Sequence, residues 1–95
     1  MALYNTKAIV LRNIDFSETD KLVTLMTEKY GKIKGVARAA RKIKSRFGAA
    51  LEPMTHIQLI YFGKSNQELF KLNTCDIIQS FQPIRDDLGK LYTGI

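Results

Sequence analysis

The chain has 95 residues, 45% hydrophobic and 25% charged, with a formal net charge of +6; that is enough for one soluble core but not for a two-lobed enzyme cleft. Its single cysteine, Cys75, excludes an internal disulfide and a Cys-based zinc site within the chain. No apolar run reaches the roughly 18–20 residues of a membrane span, and Met1 to Lys7 lack the charged-then-apolar order of a signal peptide, so a cytoplasmic protein with no membrane partner is expected.

Taken in chain order, the apolar pattern is that of short strands broken by turns. Lys7 to Arg12 is β-branched and continuously apolar in its middle, which predicts a strand buried on both faces. Asn13 to Asp20 is polar and reads as a connection, with Ser17, Thr19 and Asp20 suited to turn and capping roles. Leu22 to Thr27 is a second strand. Glu28 to Gly31 supplies a turn in which Gly31 is the natural site for a positive φ. Lys32 to Ala37 returns, with Ile33, Gly35 and Ala37 on one face and Lys32, Lys34 and Val36 on the other.

From Arg38 to Ala50 the period changes. Ala39, Ile43, Phe47 and Ala50 recur at helical spacing, which predicts a helix or helical turn. After Pro53, Thr55 to Phe62 alternates as a strand, Gly63 to Asn66 is a hairpin loop, and Glu68 to Thr74 returns. Ile77 and Ile78 extend that last strand past a kink at Asp76. Pro83 opens a final helix whose stripe, Ile84, Leu88, Leu91 and Ile95, is unfinished where the sequence stops. The expected fold is mainly β: a five-stranded OB-fold barrel over residues 1–80, then residues 81–95 as the truncated beginning of a helical domain. A small SH3-like barrel has a similar strand count.

Enzymatic signals are poor, and no catalytic residue, metal site or cofactor is assigned. His56, the only histidine, sits mid-strand with no nucleophile motif nearby. Asp15, Glu18 and Asp20 are too few oxygen ligands, without a Gly-shaped loop, for a hard cation.

The charge distribution is more informative. Between Glu28 and Glu52 there is no acid, yet the stretch holds Lys29, Lys32, Lys34, Arg38, Arg41, Lys42, Lys44 and Arg46. Eight of the fifteen Lys and Arg residues therefore lie in one segment, and the remaining seven are outnumbered by nine acids. Such a segment points to a polyanion, most commonly nucleic acid. On a strand, Lys32 and Lys34 would project about 6.5–7 Å apart, close to the spacing of phosphates along DNA. Arg38, Arg41, Lys42, Lys44 and Arg46 continue that face, and arginine adds bidentate contacts to phosphate. Tyr30, Phe47, Tyr61 and Phe62 are candidate stacking platforms; Tyr30, at the turn, is the best exposed, whereas Phe47 lies on the apolar stripe and belongs to the core. The bland alternative is a solvated face that only keeps the chain soluble.

The runs Lys7 to Arg12, Ser17 to Lys21, Thr27 to Lys32, Gly35 to Arg38 and Lys44 to Pro53 closely resemble, in consistent order, the start of the bacterial RecO family of DNA-repair proteins. The resemblance implies an N-terminal OB-fold followed by a helical domain that often carries a zinc-binding Cys cluster. It also implies binding to single- and double-stranded DNA, strand annealing, and work with RecR to load RecA onto strands coated by single-strand-binding protein. That protein would be met through the region missing here. The family's basic DNA contacts map onto Lys32, Lys34, Arg38, Arg41, Lys42 and Arg46. After Ala37 and Arg38 the family usually has glycine, where this chain has Ala39. If that glycine takes a positive φ, the loop path here should differ and redirect Arg41 and Lys42. Two functions are weighed: a non-sequence-specific DNA-binding domain at the nucleoid, and a module that mainly docks RecR, with the basic face incidental. The acidic turn Asp15 to Asp20 serves folding or docking; folding is favoured.

Overall fold

The computed structural model describes residues 2–42, 44–64 and 66–80. Five strands, β1 (Ala2–Asp15), β2 (Lys21–Thr27), β3 (Gly31–Ala37), β4 (Thr55–Gly63) and β5 (Leu69–Ser80), close into a barrel in the order β1-β2-β3-β5-β4. All neighbours are antiparallel except β3 and β5, whose short parallel pairing from Lys34–Leu69 to Val36–Lys71 closes the barrel. This is the OB-fold arrangement expected from the spacing of the strands.

Alternation decides what faces inward. Val23, Leu25, Ile33, Ile57, Leu59 and Leu72 fill the interior, while their strand neighbours Lys32 and Lys34 face out. Gly35 faces inward beside β5, and a Cβ there would collide with the Leu72 side chain, so the close approach of β3 and β5 requires glycine. Gly31 takes φ 76° in the β2–β3 turn, as expected.

Four readings need correction. The first strand is longer than Lys7–Arg12, absorbing Asn13 to Asp15, and it is not buried on both faces: Ala8 and Val10 are buried while Lys7, Leu11 and Arg12 are exposed. The register between β1 and β2 shifts between Val10 and Arg12, leaving Leu11 as an extra residue, so an apolar run there reflects a bulge and not a doubly covered strand. The predicted helix over Arg38–Ala50 is also absent. The described residues there form successive turns, and only Gly48–Leu51 make a 3-10 turn. The helical spacing still marks the buried side, since Phe47 and Ala50 join the core. Tyr61 is no surface platform, being 1% exposed, and Phe62 is half-buried. Finally, β5 irregularities fall between Ile60/Tyr61 and His56/Ile57 of its partner β4, which leaves Asn73 and Ile78 as the extra residues in place of a kink at Asp76. The helix expected after Pro83 lies outside the described residues.

The 3-10 turn closes one barrel end. Phe47, Ala50 and Leu51 are buried there, and Asn13 Nδ2 donates to the Leu51 carbonyl at 2.6 Å. Cys75 is a buried core residue whose thiol is pushed up to about 12 by loss of hydration, with the nearby Asp76 adding to it. A thiol held neutral in this way is a packing residue and a poor nucleophile.

Candidate nucleic-acid interface

The basic residues fall on two adjoining supports. The first is the outer face of β3, where Lys32 and Lys34 are exposed opposite Met26 and Thr24 of β2. The ladder to β2 along both residues, joined at Lys34 by the pairing with β5, fixes the direction of these side chains. The second support is the β3–β4 connection. Arg38, Arg41, Lys42, Lys44 and Arg46 are all exposed there. Arg38, Lys42, Lys44 and Arg46 border a shallow hollow of about 390 Å³ together with Ala39 and Ser45. Arg46 is further oriented by the Phe47 ring, 5.2 Å from guanidinium carbon to ring centroid.

A loop of this charge repels itself, so something must hold it. The β1–β2 loop does so. Asp20 accepts the backbone N–H of Ala39 at 2.8 Å, and the backbone N–H of Arg41 donates to the Thr19 carbonyl at 3.0 Å. The Arg41 guanidinium donates to the Ser17 carbonyl at 2.6 Å and lies 3.4 Å from the Asp15 carboxylate. Within the acidic turn, the Ser17 hydroxyl accepts the Asp20 N–H at 3.1 Å, and Thr19 donates to Asp20. The Ala39 N–H, and then Thr19, hold the Asp20 carboxyl below its ordinary value, outweighing the opposing loss of hydration, with the Arg38 charge acting in the same direction. These bonds are a folding role for the acidic turn.

Ala39 itself takes φ 61°. This is the left-handed conformation that favours glycine, here adopted by alanine. The cost is on the order of 1–2 kcal/mol, and the Asp20 bond to the Ala39 N–H helps hold it.

Lys32, Lys34, Arg38, Lys42, Lys44 and Arg46 thus stand together on one connected surface, with no ion pair among the described residues. Arg41 is beside them, but its guanidinium is committed to the β1–β2 loop. Tyr30 is 46% exposed, yet its ring stands edge-on to Tyr4, 5.0 Å between centroids, so it belongs to an aromatic cluster and not to an isolated platform.

Two basic residues escaped the sequence reading. Arg12 is exposed and pairs with Thr24, which pairs with Lys34, so Arg12 and Lys34 share the outer face across β2. Lys71 is exposed and pairs with Val36 of β3. Neither lies in the acid-free segment. Only the strand order brings them there, and applying the OB order to the alternating pattern would have revealed Lys71.

Comparison with known proteins settles the family. The model of the family "Recombination protein O N terminal" matches residues 1–81. The chain belongs to the RecO family, as its N-terminal domain. It is similar to the DNA repair protein RecO of Koribacter versatilis, 51% identical over 78 residues that make up 82% of this chain and 32% of that protein. The RecO of Thermodesulfovibrio yellowstonii is 48% identical over 84 residues, 88% of this chain and 33% of that protein. For the RecO of Salinibacter ruber the figures are 39% over 94 residues, 99% and 36%. The chain spans about a third of the length of these RecO relatives. The names of the family and of these relatives place those proteins in DNA repair and recombination. Among the described residues no helix is long and apolar enough to cross a membrane.

Proposed function

We propose that this domain binds single- and double-stranded DNA without sequence specificity, through the β3 lysines and the clasped basic loop. In that role it supports strand annealing and, with RecR, the loading of RecA in recombinational repair. The observation that carries the reading is the continuous surface of Lys32, Lys34, Arg38, Lys42, Lys44 and Arg46 without carboxylate partners among the described residues. Such a face neutralises phosphates and reads no bases. Annealing follows if the surface screens two strands at once while leaving their bases to pair. The domain would make and break no covalent bond, and would act at the cytoplasmic nucleoid; single-strand-binding protein would be met through the rest of the protein.

The competing reading, a module that mainly docks RecR, would place the contact on the acidic turn. There Asp15 and Asp20, with the Ser17 and Thr19 carbonyls, are engaged with the chain's own loop. Fluorescence anisotropy of labelled single-stranded DNA decides between the two. Under the proposal, Lys34→Glu/Arg38→Glu abolishes binding at moderate salt. Undiminished binding in that variant, or none in the wild type, moves the docking reading ahead.

A further inference from the structure

The barrel end opposite the 3-10 turn is built differently. There Tyr4 of β1 pairs with Tyr61 of β4, and their rings stack with centroids 4.9 Å apart. Tyr30, from the β2–β3 turn, stands nearly perpendicular to both rings, and Phe70 of β5 packs edge-on against Tyr61 at 5.0 Å. Gly63 makes room for Phe70, since a Cβ there would collide with its ring. These four aromatics, with Lys32 and Gln67, line a hollow of about 350 Å³.

Three features set this end apart from ordinary core. Leucine or phenylalanine would fill an apolar barrel end, whereas tyrosine brings hydroxyls, and none of them is a buried atom left without a partner among the described residues. None of the side-chain hydrogen bonds among the described residues uses the hydroxyl of Tyr4, Tyr30 or Tyr61. The Tyr61 ring forms a buried floor while Tyr30 leaves nearly half of its surface open. Lastly, Lys32 borders the hollow and also begins the row of outward lysines on β3.

We propose that this hollow accepts one unstacked nucleobase, held against the accessible Tyr30 and Tyr4 rings with its flanking phosphate on Lys32. The inference rests on the DNA reading above and deepens it. Phosphates tracking Lys34 and then Lys32 would deliver the next nucleotide to the aromatic rim. A single planar ring fits such a hollow, whereas a base pair in a duplex does not unstack into it. The domain would therefore distinguish single-stranded from double-stranded DNA even though its phosphate contacts do not.

The chain contains no tryptophan and four tyrosines, three of which line the hollow, so tyrosine emission reports occupancy directly. The test is titration with oligothymidylate and with an abasic oligomer of the same phosphate number. Wild type should bind oligothymidylate roughly 5- to 150-fold more tightly, the range expected for one stacked base, with quenching of tyrosine emission. Tyr30→Leu, which keeps the apolar contact with Tyr4, should lose that preference while still binding both oligomers; Tyr30→Phe should keep it. Equal binding of both oligomers by wild type overturns the pocket and leaves phosphate binding intact. Failure to bind either one overturns the DNA reading, and the pocket with it.

Discussion

The two supports of the basic face hold their charges by different means. Lys32 and Lys34 ride on β3, whose neighbours on both sides belong to the closed barrel, so their aim is as stable as the core. Among its described residues, the loop from Arg38 to Arg46 has no ladder. Its geometry depends on Asp20, Ser17 and Thr19, all on another loop, and on one residue in a strained conformation. A basic surface can thus be half scaffold and half clasp, and the two halves should fail under different perturbations.

The largest effect is expected from attacking the scaffold. Gly35→Ala places a methyl against Leu72 inside the barrel and should cost about 1–3 kcal/mol as overpacking, measured as a lower urea midpoint. It should degrade both halves together. Asp20→Ala should instead release only the loop. Trypsin should then cleave after Arg38, Arg41 or Lys42 well before the barrel unfolds, whereas wild type resists at those bonds; equal cleavage rates would show that the clasp does not hold the loop.

Legibility follows the same division. β2, β3 and β4 were readable because alternation is local, and Gly31 announced its turn. The basic segment was also plain in the sequence. The course of residues 38–50 was not, because its helical spacing records which side is buried while contacts with a distant loop decide the path. Asp20 was read as a cap but its partner, the Ala39 N–H, lies 19 residues away. Arg12 and Lys71 depend on strand order, which no short window contains. Tyr4 lies in the part of β1 before Lys7, where the sequence carries no clear strand pattern, so the aromatic end of the barrel is not legible from a short window.

Smaller effects sharpen the comparison. Ala39→Gly relieves the left-handed strain of on the order of 1–2 kcal/mol but gives back about 0.5–1 kcal/mol in unfolded-chain entropy. A net gain of about 0.5–1 kcal/mol is expected from the difference, seen as a modest rise in the urea midpoint with DNA affinity unchanged. The clasp should also be acid-labile. Asp20 has a carboxyl pKa lowered on folding from an ordinary value of 3.8. Its contribution is therefore fully present above that value and is lost as pH falls through the lowered folded pKa. The resistance of the loop to pepsin, a protease active in acid, should fall over that window in wild type. Asp20→Asn should show no such transition.

The most direct test of the central claim is the salt dependence of single-stranded DNA binding. Four to six phosphate contacts predict a slope of log affinity against log salt of roughly −3 to −4, and Lys34→Ala and Lys42→Ala should each make it shallower by about 0.7. A flat slope, or slopes that neither lysine changes, would contradict a phosphate-binding face made of strand and clasped loop.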